Sequence, residues 1–297
     1  MKLIENRQSK ELRRTRRNSF FFIIPSLLGI FVFFLAPFAV VIYYAFIDNP
    51  INKEFVWFEN FVKVWNNAAF KQASGNTLTF SAIAVPLAVV LSLLLAMILD
   101  AKIPGKSRFR TFFLSPMMVP VASVVLIWQV IFHFNGAMND WLSVFGWEQT
   151  DWLKSQYSQI VIVLLFLWKN LGYNMVLFMA ALADIPTELL EAAEVDGASP
   201  IKRFFTIKLR FLSPSILFVT IMSLISSFKV FREVYLLTGD YPFESLYMLQ
   251  HFINNTFASL DYQKLSAAAI IMFVVMLFII GALFIVEARF GKDVEEQ

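Results

Sequence analysis

The chain has 297 residues, of which 58% are hydrophobic and only 16% charged, with a formal net charge of +3. It has no cysteine, which excludes disulfides, thiol catalysis and zinc–thiolate sites. Its uninterrupted apolar runs, rich in the 34 phenylalanines, have no place in a soluble domain of this length.

A helix needs about 20 apolar residues to cross a bilayer core, and six segments reach that length. They lie near Phe20–Phe46, Asn76–Leu99, Phe112–Phe132, Ser158–Ala183, Leu209–Leu237 and Leu265–Val286. Backbone groups in lipid must be satisfied internally, and no alternating strand pattern appears, so an all-α polytopic membrane protein is expected. It divides into a basic segment 1–19, a six-helix domain 20–286 and a tail 287–297.

Arg13, Arg14, Arg16 and Arg17 precede the first span. Beside a membrane helix, such a cluster reads as a topology and headgroup anchor rather than a nucleic-acid patch. The first span is too long for a cleavable signal peptide, carries Pro25 and Pro37, and lacks a small-residue cleavage pattern, so a retained helix is expected.

The turn after span two, Asp100 to Ser107, approaches a phosphate-binding P-loop in Gly105-Lys106-Ser107. The first glycine of that motif is replaced by Asp100, and no strand–loop–helix unit surrounds it. A short basic turn is the better reading. The two histidines, His133 and His251, have no second ligand at metal spacing, and no nucleophile elbow or His-Glu-x-x-His pattern occurs. Neither catalysis nor a metal site is expected.

Of the seven tryptophans, Trp57, Trp65, Trp141, Trp147 and Trp152 fall in the connections expected outside. Interfacial tryptophan is first an amphipathic anchor, although the rings can also stack on sugar faces. The first, third and fifth inter-span stretches hold 5 of the 25 basic residues, against 17 in the other connections and termini. The positive-inside rule then places both termini and the stretch between spans four and five in the cytoplasm.

Span four contains Lys169, Asn170, Tyr173 and Asn174, and span five contains Ser223, Ser226, Ser227, Lys229, Arg232 and Glu233. Polar groups in lipid are costly and face a partner helix or a cavity. Lys229 and Glu233, four residues apart, are expected to pair with each other, and Lys169 and Asn170 to bond a neighbouring helix. Asn170, Tyr173, Asn174, Ser223 and Ser227 are the candidates for a hydrophilic route at the bilayer centre.

Between these spans, residues 184–208 form a charged island. Pro186 suits a first helical position, Gly197 a left-handed helix end, and Ser199-Pro200 an N-cap and first residue. Two short helices joined at a glycine are expected, with Leu189, Ala192 and Ala193 on one face beside Glu188 and Glu191. In the second, Ile201, Phe204 and Phe205 share a face while Lys202 and Arg203 point away. Gly197 would also spare a side-chain clash at the bend.

Glu191-Ala192-Ala193, Asp196-Gly197-Ala198, Phe204 and Ile207 closely resemble the "EAA" coupling loop of permease subunits from bacterial ATP-driven (ABC) importers. The run from Ile185 to Pro214, continued from Ser226 to Gly239, is similar to the carbohydrate-uptake branch that includes the maltose and glycerol-phosphate permeases. One departure stands out: where such permeases usually carry proline after Ile-x-Leu, this chain has Arg210, which restores a backbone donor.

The resemblance implies a cytoplasmic ATPase dimer docked on Glu188, Glu191, Ala192, Ala193, Asp196, Gly197, Ala198 and Phe204. It also implies a second homologous permease subunit, an extracytoplasmic solute-binding protein, and import of a carbohydrate, expected to be an oligosaccharide. ATP and magnesium would be held by the ATPase subunits, with no cofactor in this chain and no nucleic-acid partner. Its place would be the bacterial inner membrane. The rivals are an ABC permease for a non-sugar solute and an ion-coupled secondary transporter, for which Glu233 is the one convincing intramembrane acid.

Overall fold

The computed structural model describes residues 23–101 and 104–290. The basic segment 1–19, Phe20–Phe22 of the expected first span and the tail from 291 lie outside the described residues. Helices occur in this order: α1 Ile23–Ala45, α2 Glu59–Asn66, α3 Ala68–Asp100, α4 Lys106–Met118, α5 Val121–Ile131 and α6 Ala137–Ser143. Then come α7 Ser158–Ala183, α8 Thr187–Val195, α9 Pro200–Arg203, α10 Ser213–Phe228, α11 Phe231–Thr238, α12 Leu249–Ala258 and α13 Tyr262–Phe290. Among the described residues the only extended pairing is an isolated bridge between Ile47 and Phe55.

Among the described residues, five helical stretches are long and apolar enough to cross a membrane: α1, α3, α7, the α10–α11 run and α13. The third expected span, Phe112–Phe132, is not one helix. It is split into α4 and α5, which are bent by 98°. Pro120 is the cause: the residue before a proline is pushed out of the helical region, and Val119 is extended with ψ 132°. Span five also departs from a single helix, because α10 ends at Phe228 and α11 begins at Phe231.

By internal packing the chain forms two units. One comprises the described residues up to Val64 together with Leu260–Phe273. There the chain leaving α1 is fastened by the buried Asn60, whose Nδ2 donates to the carbonyls of Ala45 at 3.0 Å and Ile47 at 2.8 Å. Phe38 meets Phe273 with ring centroids 5.0 Å apart.

The other unit, Trp65–Ser259 and the described residues from Val274 onward, holds the candidate site. α3 packs along α7 and α10. Among its buried residues, the small Ala73, Thr77, Ser81, Ala84, Ala88, Ser92 and Ala96 recur at helical spacing. Lipid tails are as apolar as leucine, so helices in a bilayer associate where small side chains permit close approach. Phe80, Ala84, Ala88, Ile162, Leu165 and Val234 form one core cluster, while Ala96, Leu99, Met175, Phe178, Leu212 and Val219 form a second. α7 runs through both, and the island 184–208 follows directly from its end.

Candidate functional site

The first helix of the island begins one residue later than Pro186 suggests. Pro186 is the N-cap of α8 rather than its first helical residue. The C-terminal end of α8 is a complete Schellman arrangement. The Ala198 N–H donates to the Ala193 carbonyl at 2.9 Å and the Gly197 N–H to the Glu194 carbonyl at 3.0 Å. Gly197 has φ +76°, with no atom within 4 Å of a would-be Cβ. The expected side-chain clash is therefore absent; the left-handed backbone alone requires glycine.

Ser199 then caps α9, its Oγ accepting from the Lys202 N–H at 3.3 Å with Pro200 at the first helical position. α9 does not stand alone. It runs through a π turn, Phe204–Lys208, and a helical turn, Leu209–Phe211, up to α10. Arg210 lies within this helical run, where a proline would remove an N–H.

The side chains divide differently from the expected faces. Phe204 and Leu190 pack onto the second core cluster, whereas Ile201, Phe205 and Leu189 remain exposed. Val195 is 88% exposed and Ile201 72%. Arg203 does not point away, because its Nη1 lies 2.7 Å from Glu194 Oε2 and ties α9 back to α8. Glu188, Glu191, Ala192, Asp196 and Gly197 are exposed, and Ala193 and Ala198 partly so. The result is a braced bend with an uncovered acidic and apolar surface.

The polar residues of spans four and five meet across helices. Asn174 Nδ2 donates to Ser223 Oγ at 2.9 Å, joining α7 to α10. Ser227 lies 2.9 Å from Ser81, joining α10 to α3. Asn174, Ser223 and Ser227 are all buried, so in this conformation none of them faces open space. Tyr173 is half-buried. Asn170, also half-buried, donates to the Phe166 carbonyl of its own helix at 2.8 Å rather than to a neighbour.

Glu233 corrects the expected pairing. It is 4% exposed and ion-paired with Lys169 of α7, not with Lys229. The break at Lys229–Val230 takes Lys229 out of helical register with Glu233, so the four-residue spacing no longer brings them together. Lys229 and Arg232 are exposed.

With this geometry established, comparison with known proteins is decisive. Residues 88–292 match the family described as "Binding-protein-dependent transport system inner membrane component". The chain belongs to this family. It is 32% identical over 276 residues to the sn-glycerol-3-phosphate transport system permease protein UgpA of Yersinia enterocolitica, covering 90% of this chain and 92% of that protein. It is also 32% identical over 256 residues to the sulfoquinovosyl glycerol transport system permease protein SmoG of Agrobacterium fabrum, covering 84% and 83%. Among solved structures, a chain of a bacterial ABC transporter involved in import of the acidic polysaccharide alginate superposes with a TM-score of 0.81. That likeness, at 22% identity over 95% of this chain and 99% of that one, supports the fold.

This member is thus a multi-pass inner-membrane permease, and its relatives are transport permeases rather than enzymes. One further feature of this permease escaped sequence reasoning. Buried Asn139 organises the connection before α7. Its Nδ2 donates to the Phe134 and Thr150 carbonyls at 2.7 and 2.8 Å, and its Oδ1 accepts from Trp152 Nε1 at 2.8 Å. Trp57, Trp65, Trp141 and Trp147 are exposed. His251, for which the sequence offers no metal partner, is fully buried in α12 with Nδ1 accepting from the Met248 N–H at 3.2 Å. Burial lowers its pKa to about 4.

Proposed function

We propose that this permease and a second, homologous permease subunit form the membrane path of an ATP-driven importer for a carbohydrate, an oligosaccharide by preference. A binding protein outside the membrane would deliver the sugar, and a cytoplasmic ATPase dimer would supply the energy. The observation that carries this reading is the braced bend at Gly197. It holds exposed Glu188, Glu191, Val195 and Ile201 on a segment that resembles the coupling loop. An uncovered apolar and acidic surface on a rigid element suits a protein partner. A dimeric ATPase offers two clefts and this chain one loop, which argues for the second permease.

The basic-residue asymmetry supports a cytoplasmic position for the island and both termini. The proposed domain boundaries at 20 and 286 follow from the ends of the first and last apolar runs. ATP and magnesium belong to the ATPase in this scheme. Closure of its subunits would push on α8 and α9, and the continuous helical run into α10 would carry the movement to the bundle. The names of the relatives, which cite glycerol phosphate and sulfoquinovosyl glycerol, favour a hydroxyl-rich solute.

Asn170, Tyr173, Asn174, Ser223 and Ser227 are proposed to contact that solute. The Asn174–Ser223 and Ser81–Ser227 bonds close the helices here, and sugar hydroxyls would replace them when α7 and α10 part. The rival ion-coupled mechanism is weakened because Glu233 is already paired with Lys169. Reconstitution of the full assembly in liposomes provides the test. Uptake of a glycan that requires both ATP and the binding protein is expected; uptake driven by a proton or sodium gradient without ATP would overturn the proposal.

A further inference from the structure

The 23 residues of α1 rise about 34 Å, slightly more than the ~30 Å hydrocarbon core, so its last residue, Ala45, reaches headgroup depth. The chain that follows does not leave that depth. The Val56 N–H donates back to the Phe46 carbonyl at 2.8 Å, and Asn60 of α2 donates to the carbonyls of Ala45 and Ile47. Around Phe46 gather Phe55, stacked on it at 5.7 Å, and Phe58 and Phe61 at 5.8 and 5.3 Å.

α2 sorts its residues into three strips, about a third of a turn apart. Asn60 and Val64 are buried. Glu59 and Lys63, four residues apart, are exposed and paired with each other at 2.8 Å. Phe58, Phe61 and Val62 share the third strip, on which Phe58 and Val62 are more than half exposed. A helix standing in water would carry polar residues on both uncovered strips, and this one carries them on one.

Trp57, just before α2, has φ +52°. A bulky side chain in that region is an outlier, and glycine would hold the turn with less strain. The ring is 68% exposed and meets Phe55 edge-on at 4.9 Å. Among the described residues no group accepts its indole N–H. Strain kept in order to display an apolar ring points to something outside the chain that receives it.

We propose that Trp57, Phe58 and Val62, with Phe55 beside them, are seated in the headgroup and acyl boundary of the leaflet where α1 ends. Two arguments choose lipid as the occupant. Asn60 fixes the height of α2 to the end of a span, which is the level of that boundary. A helix lying flat there has an apolar side and an aqueous side at once, which is the division between the Val62 strip and the Glu59–Lys63 strip. At this level an indole can bury its ring and donate its N–H to a headgroup. Because Glu59 and Lys63 compensate each other, the seat does not select headgroup charge. The same clasp passes the fixed depth to α1, which is then held against sliding along its axis and left free to pivot about this end.

The full assembly reconstituted in phosphatidylcholine liposomes tests the seat. Val62→Cys and Lys63→Cys each place one thiol on this cysteine-free chain for a nitrobenzoxadiazole label, with the signal of the assembly carrying the unsubstituted chain subtracted. A lipid bearing a doxyl quencher near the head of its acyl chain should quench the Val62 label about threefold more than the Lys63 label, and aqueous iodide should do the reverse. Adding phosphatidylglycerol should change neither result. Trp57→Gly should lower the doxyl quenching at Val62 by about half, and Trp57→Phe should retain most of it. Equal quenching of the two labels by each quencher would overturn the proposal. So would a Val62 label shielded from both, because a protein would then cover the strip. Doxyl quenching unchanged by Trp57→Gly would overturn the part given to Trp57.

Discussion

Gly172 on α7 crosses the backbone of α4 at Phe113 so closely that a Cβ would lie 1.8 Å from the Phe113 carbonyl oxygen. No side-chain rotation can relieve such an overlap, because the opposing atom is backbone. Gly172→Ala must push α4 away from α7, and overpacking of this kind costs about 1–3 kcal/mol. A lower melting temperature of the purified protein is expected, with Gly172→Val worse than alanine. A melting curve unchanged by either substitution would show that the two helices are not held at this separation.

The Lys169–Glu233 pair fastens α7 to α11, with Glu233 almost completely buried. Removing one partner of a buried pair leaves an uncompensated charge, at a cost of about 3–5 kcal/mol when fully buried. The smaller end of that range is expected for Glu233→Leu, because Lys169 is partly exposed. The double variant Lys169→Leu/Glu233→Leu should recover much of the loss. Additive destabilisation in a double-mutant cycle would show that the two side chains do not interact in the membrane.

Asn174→Leu removes the donor to Ser223 and leaves a buried hydroxyl to find another partner. An unsatisfied buried polar group costs about 1–3 kcal/mol. Solute uptake should fall while the assembly still purifies intact. Ser223→Ala separates bracing from transport: if both substitutions lower the melting temperature and neither changes uptake, the pair is purely structural.

His251 predicts a pH dependence. Its pKa is lowered from 6.5 to about 4 by burial, so the unfolded chain binds the proton more readily than the folded one. By linkage, the stabilisation is fully present above pH 6.5 and is lost as pH falls toward 4. Nδ1 accepts from the Met248 N–H, which leaves Nε2 as the protonated nitrogen of the neutral ring. The melting temperature should decline from pH 7 to pH 5, and His251→Gln should flatten that slope. A profile identical in the variant would remove His251 as its source.

Much of this architecture is written locally in the chain. Apolar length locates α7 to the residue, and the Ser199-Pro200 and Gly197 signals locate the bend, because these depend on backbone preferences of single residues. The misses arise where non-local geometry or a conformational choice decides. Pro116 and Pro120 both stand in the apolar run of span three, but only Pro120 forces Val119 out of the helix; Pro116 remains inside α4. Lys229 and Glu233 look like a helical pair until the chain breaks at Val230, and Glu233 then finds a partner 64 residues away. Asn139 could not be singled out, because its importance lies in carbonyls supplied by Phe134 and Thr150 after folding.

The island's surface is open to direct substitution. Gly197→Ala imposes the left-handed penalty of about 1–2 kcal/mol on a side chain that clashes with nothing, so a weakened but assembled complex is expected. Glu191→Lys reverses an exposed charge without touching the fold. The chain should insert normally and retain less ATPase on purification, with Gly197→Trp more severe than Gly197→Ala. Normal co-purification and normal transport in both Glu191→Lys and Gly197→Trp would contradict the assigned role of these residues.

The most direct measurement is site-specific cross-linking from the island in whole membranes. Ala192→Cys gives this cysteine-free chain a single thiol on the exposed face of α8. Treatment with a short reagent that is thiol-reactive at one end and photoactivated at the other should yield an adduct with the cytoplasmic ATPase, and membrane-impermeant thiol reagents added to intact cells should leave the thiol unlabelled. Labelling from outside, or a transport-competent assembly in which no ATPase adduct forms at any island position, would contradict the account.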